Sequence, residues 1–84
     1  MIAIQWSTKA VKQLLKINRP DQPVIKNAVG ALATMPQTHN VKALVNHNYQ
    51  YRLRVRNYRV FFNFDGVVKV VSIEEVRKRD ERSY

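Results

Sequence analysis

Apolar and polar residues alternate along the chain most clearly from Tyr49 to Phe64, and the alternation predicts a β-hairpin. Tyr49, Tyr51, Leu53 and Val55 share one parity with Gln50, Arg52, Arg54 and Arg56 on the other, the period of a half-buried strand. The returning strand places Tyr58, Val60, Phe62 and Phe64 on the core parity, with Arg59, Phe61 and Asn63 facing away. A two-residue turn at Arg56-Asn57, with Asn57 supplying the positive φ, sets Val55 opposite Tyr58, Leu53 opposite Val60 and Tyr51 opposite Phe62. The same register puts Arg54 opposite Arg59 and Arg52 opposite Phe61 on the face away from the core. Like charges opposed across a strand pair cost on the order of a few tenths of a kcal/mol, so a chain that keeps them is expected to place an anion there.

The pattern before the hairpin is helical. Ile2-Ala3-Ile4-Gln5-Trp6 reads as a short strand ending at Ser7, a natural N-cap. Ala10, Val11, Leu14, Leu15 and Ile17 then recur at helical spacing, with Lys9, Lys12, Gln13 and Lys16 on the other face. Asn18 to Pro23 interrupts, its prolines suited to a helix entry. A second helix follows through Val24, Ile25, Ala28, Val29, Leu32 and Ala33 until Met35-Pro36 stops it, with Gly30 a weak point. Residues 36–48 read as loop, with Leu44 tucked under the hairpin. Asp65-Gly66 is a strong turn signal, and Val67 to Ile73 is β-branched enough for a central strand, although this places Lys69 on the core parity opposite Phe62. A charged tail, Glu74 to Tyr84, follows. The expected fold is a single α+β domain over residues 1–84, ordered β-α-α-β-β-β, with two antiparallel helices packed on one face of a mainly antiparallel sheet.

Charge sharpens this reading. Fifteen Lys and Arg against six Asp and Glu leave +9 on 84 residues, which predicts a polyanionic partner such as nucleic acid, or an acidic protein. Arg52, Arg54, Arg56 and Arg59 crowd into one short stretch without an acid among them. The absence of cysteine excludes disulfides and thiolate metal sites and suits a reducing, cytoplasmic setting. No signal peptide is recognisable and no apolar run approaches the roughly 20 residues of a membrane span, so no membrane partner is expected.

Candidate chemistry narrows further by elimination. Gly30 and Gly66 are the only glycines, so no phosphate-cradling loop exists, and no metal-ligand spacing is present; neither a metal nor a cofactor is expected. Ser72 and Ser83 lack a neighbouring base pattern. His39 and His47 are acid–base candidates in a polar loop, where a solvated histidine is the common case. An arginine cluster flanked by Tyr and Phe on an open sheet face suits RNA: guanidinium forks hold phosphate oxygens and rings stack on unpaired bases. Around a scissile phosphate the cluster would stabilise transition-state charge without a metal, the RNA supplying its own 2′-OH nucleophile.

Val41-Lys42-Ala43-Leu44, then Tyr51-Arg52-Leu53-Arg54-Val55-Arg56-Asn57-Tyr58-Arg59-Val60-Phe61-Phe62, Val71-Ser72-Ile73 and Arg77 to Tyr84, resemble the RelE/ParE superfamily of bacterial toxin–antitoxin toxins over nearly the whole chain. Toxins of the RelE branch cut mRNA in the ribosomal A site without a metal, by 2′-OH attack giving a 2′,3′-cyclic phosphate; those of the ParE branch poison DNA gyrase. Both are silenced by an antitoxin encoded beside them. The two basic clusters and the terminal aromatic favour the RelE-like branch. The resemblance implies a cytoplasmic, ribosome-dependent endoribonuclease whose partners are mRNA in the ribosomal A site and a cognate acidic antitoxin, the last in a hetero-oligomeric complex.

The resemblance also assigns catalytic roles. Arg52 and Arg54 would line the scissile phosphate, Arg59 would bind phosphate, Arg79 (or Lys78, if the tail aligns one residue earlier) would protonate the leaving 5′-oxygen, and Tyr84 would stack on a base. Lys42, Arg56, Phe61, Arg77, Lys78 and Arg82 are further RNA-binding candidates. Where RelE toxins carry lysines in the first hairpin strand this chain has arginines, which are poor general bases. Glu81 and His47 are the alternatives for that role, as is catalysis resting on phosphate stabilisation and on the ribosome orienting the 2′-OH.

Overall fold

The hairpin forms in the register its alternation predicts. In the computed structural model, which describes residues 2–34 and 40–78, β3 (Tyr51–Val55) and β4 (Tyr58–Asp65) pair antiparallel. Val55 lies opposite Tyr58, Arg54 opposite Arg59, Leu53 opposite Val60, Arg52 opposite Phe61 and Tyr51 opposite Phe62. The turn differs in one respect: the left-handed residue is Arg56, at φ 51°, and not Asn57. Left-handed backbone costs an L-residue roughly 1–2 kcal/mol. An ion pair from Arg56 Nη1 to Asp21 Oδ1 at 3.0 Å holds the side chain toward the second helix and offsets part of that cost.

Two helices cover the core face. Ser7 caps α1 (Thr8–Leu15) by accepting from the Ala10 N–H. The helix ends two residues before Ile17, where Gln22 Nε2 donates to the Ile17 carbonyl at 2.8 Å. Ala10 and Leu14 are buried, whereas Val11 and Leu15, expected in the core, are 39 % and 64 % exposed. They line an open apolar hollow with Ile4, Trp6 and Val29. The second helix, α2 (Asp21–Gly30), buries Ile25 and Val29 and tightens after Gly30 into a 3₁₀ turn, Ala31–Thr34, that buries Leu32. Among the described residues no helix is long and apolar enough to cross a membrane.

The sheet has five strands in the order β1 (Ala3–Trp6), β5 (Val70–Lys78), β4, β3 and β2 (Val41–Ala43), one more than the chain's pattern suggests. The addition is β2 (Val41–Ala43), pairing antiparallel with β3. A three-residue edge strand is too short to display a period, so its sequence reads as loop. The first strand, β1 (Ala3–Trp6), runs parallel to β5 at the other edge. Strand β5 spans Val70–Lys78, so it starts and ends later than Val67 to Ile73. Val67 and Val68 are 91 % and 64 % exposed in a turn closed by Asp65 Oδ1, which accepts from both their N–H groups. Lys69 lies in the same turn at φ 60°, and Ile73 takes the place opposite Phe62. The buried lysine implied by the alternation therefore does not arise. Residues Glu74 to Lys78, read as tail, complete the strand.

Candidate nucleic-acid interface

The face away from the helices owes its composition to one irregularity in β5. Between Phe61 and Phe62 the β4–β5 register shifts: Phe62 faces Ile73 but Phe61 faces Glu75, leaving Glu74 as an extra residue. Such a bulge reverses side-chain parity. Ile73 and Val76 therefore both enter the core, while Glu75 and Arg77 move to the open face. Ser7 fixes the bulge from the helix side, its N–H donating to the Ile73 carbonyl at 2.9 Å and its Oγ to the Glu74 carbonyl at 3.0 Å.

Two cross-strand rows result. Arg54, Arg59 and Arg77 occupy facing positions on β3, β4 and β5. One step along the strands, Lys42, Arg52, Phe61 and Glu75 form a second row across β2 to β5. Among the described residues, these rows put five cations on one face. Arg54, Arg77 and Lys42 are exposed, and Arg52 and Arg59 are half-buried. Arg59 interacts within the fold. The Nε of Arg52 is buried without a hydrogen-bond partner, a donor whose desolvation costs about 1–3 kcal/mol unless an acceptor reaches it.

Glu75 is the acid in the middle of these rows, and it is buried. Arg77 Nε donates to Oε1 at 2.6 Å, Tyr49 Oη donates to Oε2 at 3.0 Å, and Lys9 Nζ lies 3.6 Å from Oε1. Burial pushes its carboxyl upward, but the bonds from Arg77 and Tyr49 and the charges of Arg77 and Lys9 outweigh it and hold the group below the usual range. The hydrogen bond to Glu75, with burial second, raises Tyr49 above the ordinary phenol value. Across the molecule Tyr58 is raised by burial first and then by donating to Asp21 Oδ2 at 2.9 Å.

Several sequence-based candidates lie elsewhere. Arg56 points to Asp21 and stands apart from both rows. Lys78, opposite Tyr58, has the core-face parity at the strand end. Phe61 does face away from the core, yet it is only 8 % exposed because His47 and Tyr49 cover it, with ring centroids 5.2 and 5.7 Å away. It cannot present its own face to a base. Tyr49, expected on the core parity, precedes β3 and crosses to the open side. Arg79, Arg82, Tyr84, Glu81 and His39 lie outside the described residues. The pattern missed Glu75, Tyr49 and Lys9 as a group. The available signal was Val76, an apolar residue three after Ile73, which strict alternation leaves unexplained.

Comparison with solved structures places the fold. The chain matches the RelE–RelB complex of Pyrococcus horikoshii at TM-score 0.79 and 20 % identity, covering 95 % of this chain and 97 % of that one. It matches the isolated Escherichia coli RelE toxin at TM-score 0.80 and 17 % identity, over 96 % and 87 %. For the RelBE2 complex of Mycobacterium tuberculosis the values are 0.78, 18 %, 93 % and 98 %. Comparison with curated proteins gives no match. The sequence itself fits, over residues 4–82, the family described as ParE toxin of type II toxin-antitoxin system, parDE. That match spans β1 through β5, so this RelE-folded chain belongs to the ParE toxin family and is the toxin of a type II toxin–antitoxin module.

Proposed function

We propose that this toxin is a metal-independent, ribosome-dependent mRNA endonuclease and that its open sheet face is the active surface. One observation carries the reading: Arg54, Arg59 and Arg77 occupy one row across three adjacent strands, with Lys42 and Arg52 in the next. Arg77 is bonded to Glu75 and Arg59 interacts within the fold, so exposed Arg54 is the guanidinium of the row that a phosphodiester meets first. In the reaction the 2′-OH gives up its proton, to Glu81 or to water as the ribosome orients it, and attacks the adjacent phosphorus; the bond to the 5′-oxygen breaks, that oxygen takes a proton, and a 2′,3′-cyclic phosphate and a 5′-hydroxyl result. Charge accumulates on the non-bridging oxygens, and guanidinium groups fixed on rigid strands stabilise it without reorganising. Arg79 and Tyr84 keep the roles that the resemblance implies, leaving-group protonation and base stacking.

The P. horikoshii and M. tuberculosis neighbours were solved as complexes of RelE with RelB and as RelBE2. We infer a cognate acidic antitoxin here as well, in a cytoplasmic hetero-oligomer, since +9 on 84 residues favours a negatively charged cover. A second reading, inhibition of DNA gyrase without nuclease activity, is favoured by the parDE description of the matching family. Toeprinting on translating ribosomes beside a gyrase supercoiling assay separates the two. Cleavage within A-site codons with unimpaired supercoiling supports the nuclease; the reverse supports the gyrase inhibitor.

A further inference from the structure

We propose that His47, lying flat on Phe61, is a stacking platform for an unpaired base of a single-stranded RNA whose phosphates lie along the arginine row. The inference rests on the reading of the open face as an RNA surface and adds a base-binding subsite to it. An exposed imidazole in a polar loop is ordinarily solvated and free to turn. His47 is exposed, yet three contacts fix it. Its ring is 5.2 Å from that of Phe61 at an interplanar angle of 11°, an offset stack. Tyr49 lies against it at 5.7 Å and 46°. The Tyr49 N–H donates to Nδ1 at 3.1 Å. Tyr49 is itself tied through its hydroxyl to the buried Glu75, so the assembly is anchored in the middle of the sheet. Asn46, left-handed at φ 53°, turns the chain just before His47, and asparagine tolerates that conformation better than most residues.

The outcome is a ring with one face on Phe61 and its position set in advance, so little ordering remains to oppose a base that stacks on it. Placement supports the same occupant. Phe61 stands opposite Arg52, and the Arg54–Arg59–Arg77 row is two residues further along the strands, about 7 Å at the rise of a β-strand. A nucleotide stacked on His47 therefore has its backbone beside that row. Unpaired bases on aromatic planes with phosphates in a basic track are the general mode of single-strand binding. With Nδ1 accepting from the Tyr49 N–H, the exposed face of the ring is oriented for an RNA base to stack on.

The test uses the full chain and a short single-stranded RNA bearing one 2-aminopurine and 2′-O-methyl riboses, which cannot supply the attacking hydroxyl. Affinity is read by anisotropy, stacking by 2-aminopurine quenching, and folding by the Tm of each variant. His47→Ala should weaken binding about 5- to 100-fold and abolish the quench. His47→Phe should keep both, and His47→Leu, similar in bulk without a ring, should behave like alanine. Arg54→Gln should weaken binding while the quench persists at saturation. If His47→Ala binds and quenches like the wild type while Arg54→Gln weakens binding, the RNA surface stands and the platform is overturned. If His47→Phe fails as badly as alanine with an unchanged Tm, the imidazole acts by some route other than stacking, which also overturns it. If neither Arg54→Gln nor His47→Ala alters binding, the RNA reading fails and the platform with it.

Discussion

Replacing Glu75 by glutamine tests how the basic face is held together. The Glu75 side chain is 5 % exposed and receives Arg77 Nε at 2.6 Å, Tyr49 Oη at 3.0 Å and the Lys9 charge at 3.6 Å. Breaking a buried pair costs about 3–5 kcal/mol when the survivor stays buried, but the Arg77 and Lys9 side chains are 64 % and 60 % exposed. Water can therefore recover them. The loss reduces to charge-assisted hydrogen bonds of about 1.5–3 kcal/mol each, which the amide oxygen retains in weakened form. About 2 kcal/mol remains, a Tm lower by about 8–16 °C in a domain of this size. The pH dependence carries the sign. The folded Glu75 has its pKa below the usual 4.5, so its contribution is complete above that value and is lost as pH falls through the lower folded one. Urea unfolding of wild type and Glu75→Gln should show a constant gap above about pH 6 that closes in acid. Equal stability at neutral pH, or a gap that stays constant into acid, would refute the anchoring role.

Two further substitutions probe the frame of that face. Ser7→Ala removes both the α1 cap and the hydroxyl bond to the Glu74 carbonyl at the bulge; a loss of about 1–2 kcal/mol in urea unfolding is expected, and a loss near zero would deny Ser7 its double role. Val68→Lys should change stability by less than about 0.5 kcal/mol, because Val68 is 64 % exposed in the β4–β5 turn. A core-sized loss would restore the earlier strand start that its β-branched sequence suggests.

What the sequence disclosed, and what it withheld, follows from the range of the interactions concerned. The hairpin register was legible because alternation over Tyr51–Val55 and Tyr58–Asp65 couples every pair to one buried face. The Ser7 cap was legible because capping is local. The Glu74 bulge was not, since it is fixed by Ser7 from 67 residues away. Everything resting on it was hidden as well: the parity of Glu75 and Arg77, the length of β5 and the third arginine of the row. Val67 and Val68 misled because β propensity describes a half-buried pleated surface, whereas Asp65 captures their N–H groups in a turn. The arginines of the hairpin were visible, but their partners were not: Arg56, in its turn, pairs with Asp21 across 35 residues.

The central claim is that the arginine row works on an RNA phosphate, and Arg54 tests it most directly. It is exposed and stands opposite Arg59. Arg54→Gln should leave urea stability unchanged or raise it by a few tenths of a kcal/mol, roughly the size of a relieved like-charge pair. Single-turnover cleavage of ribosome-bound mRNA should fall about a hundredfold or more, the usual loss when one transition-state contact is removed. Stability held with cleavage lost is the predicted result. Cleavage at the wild-type rate by a variant as stable as the wild type would contradict the account.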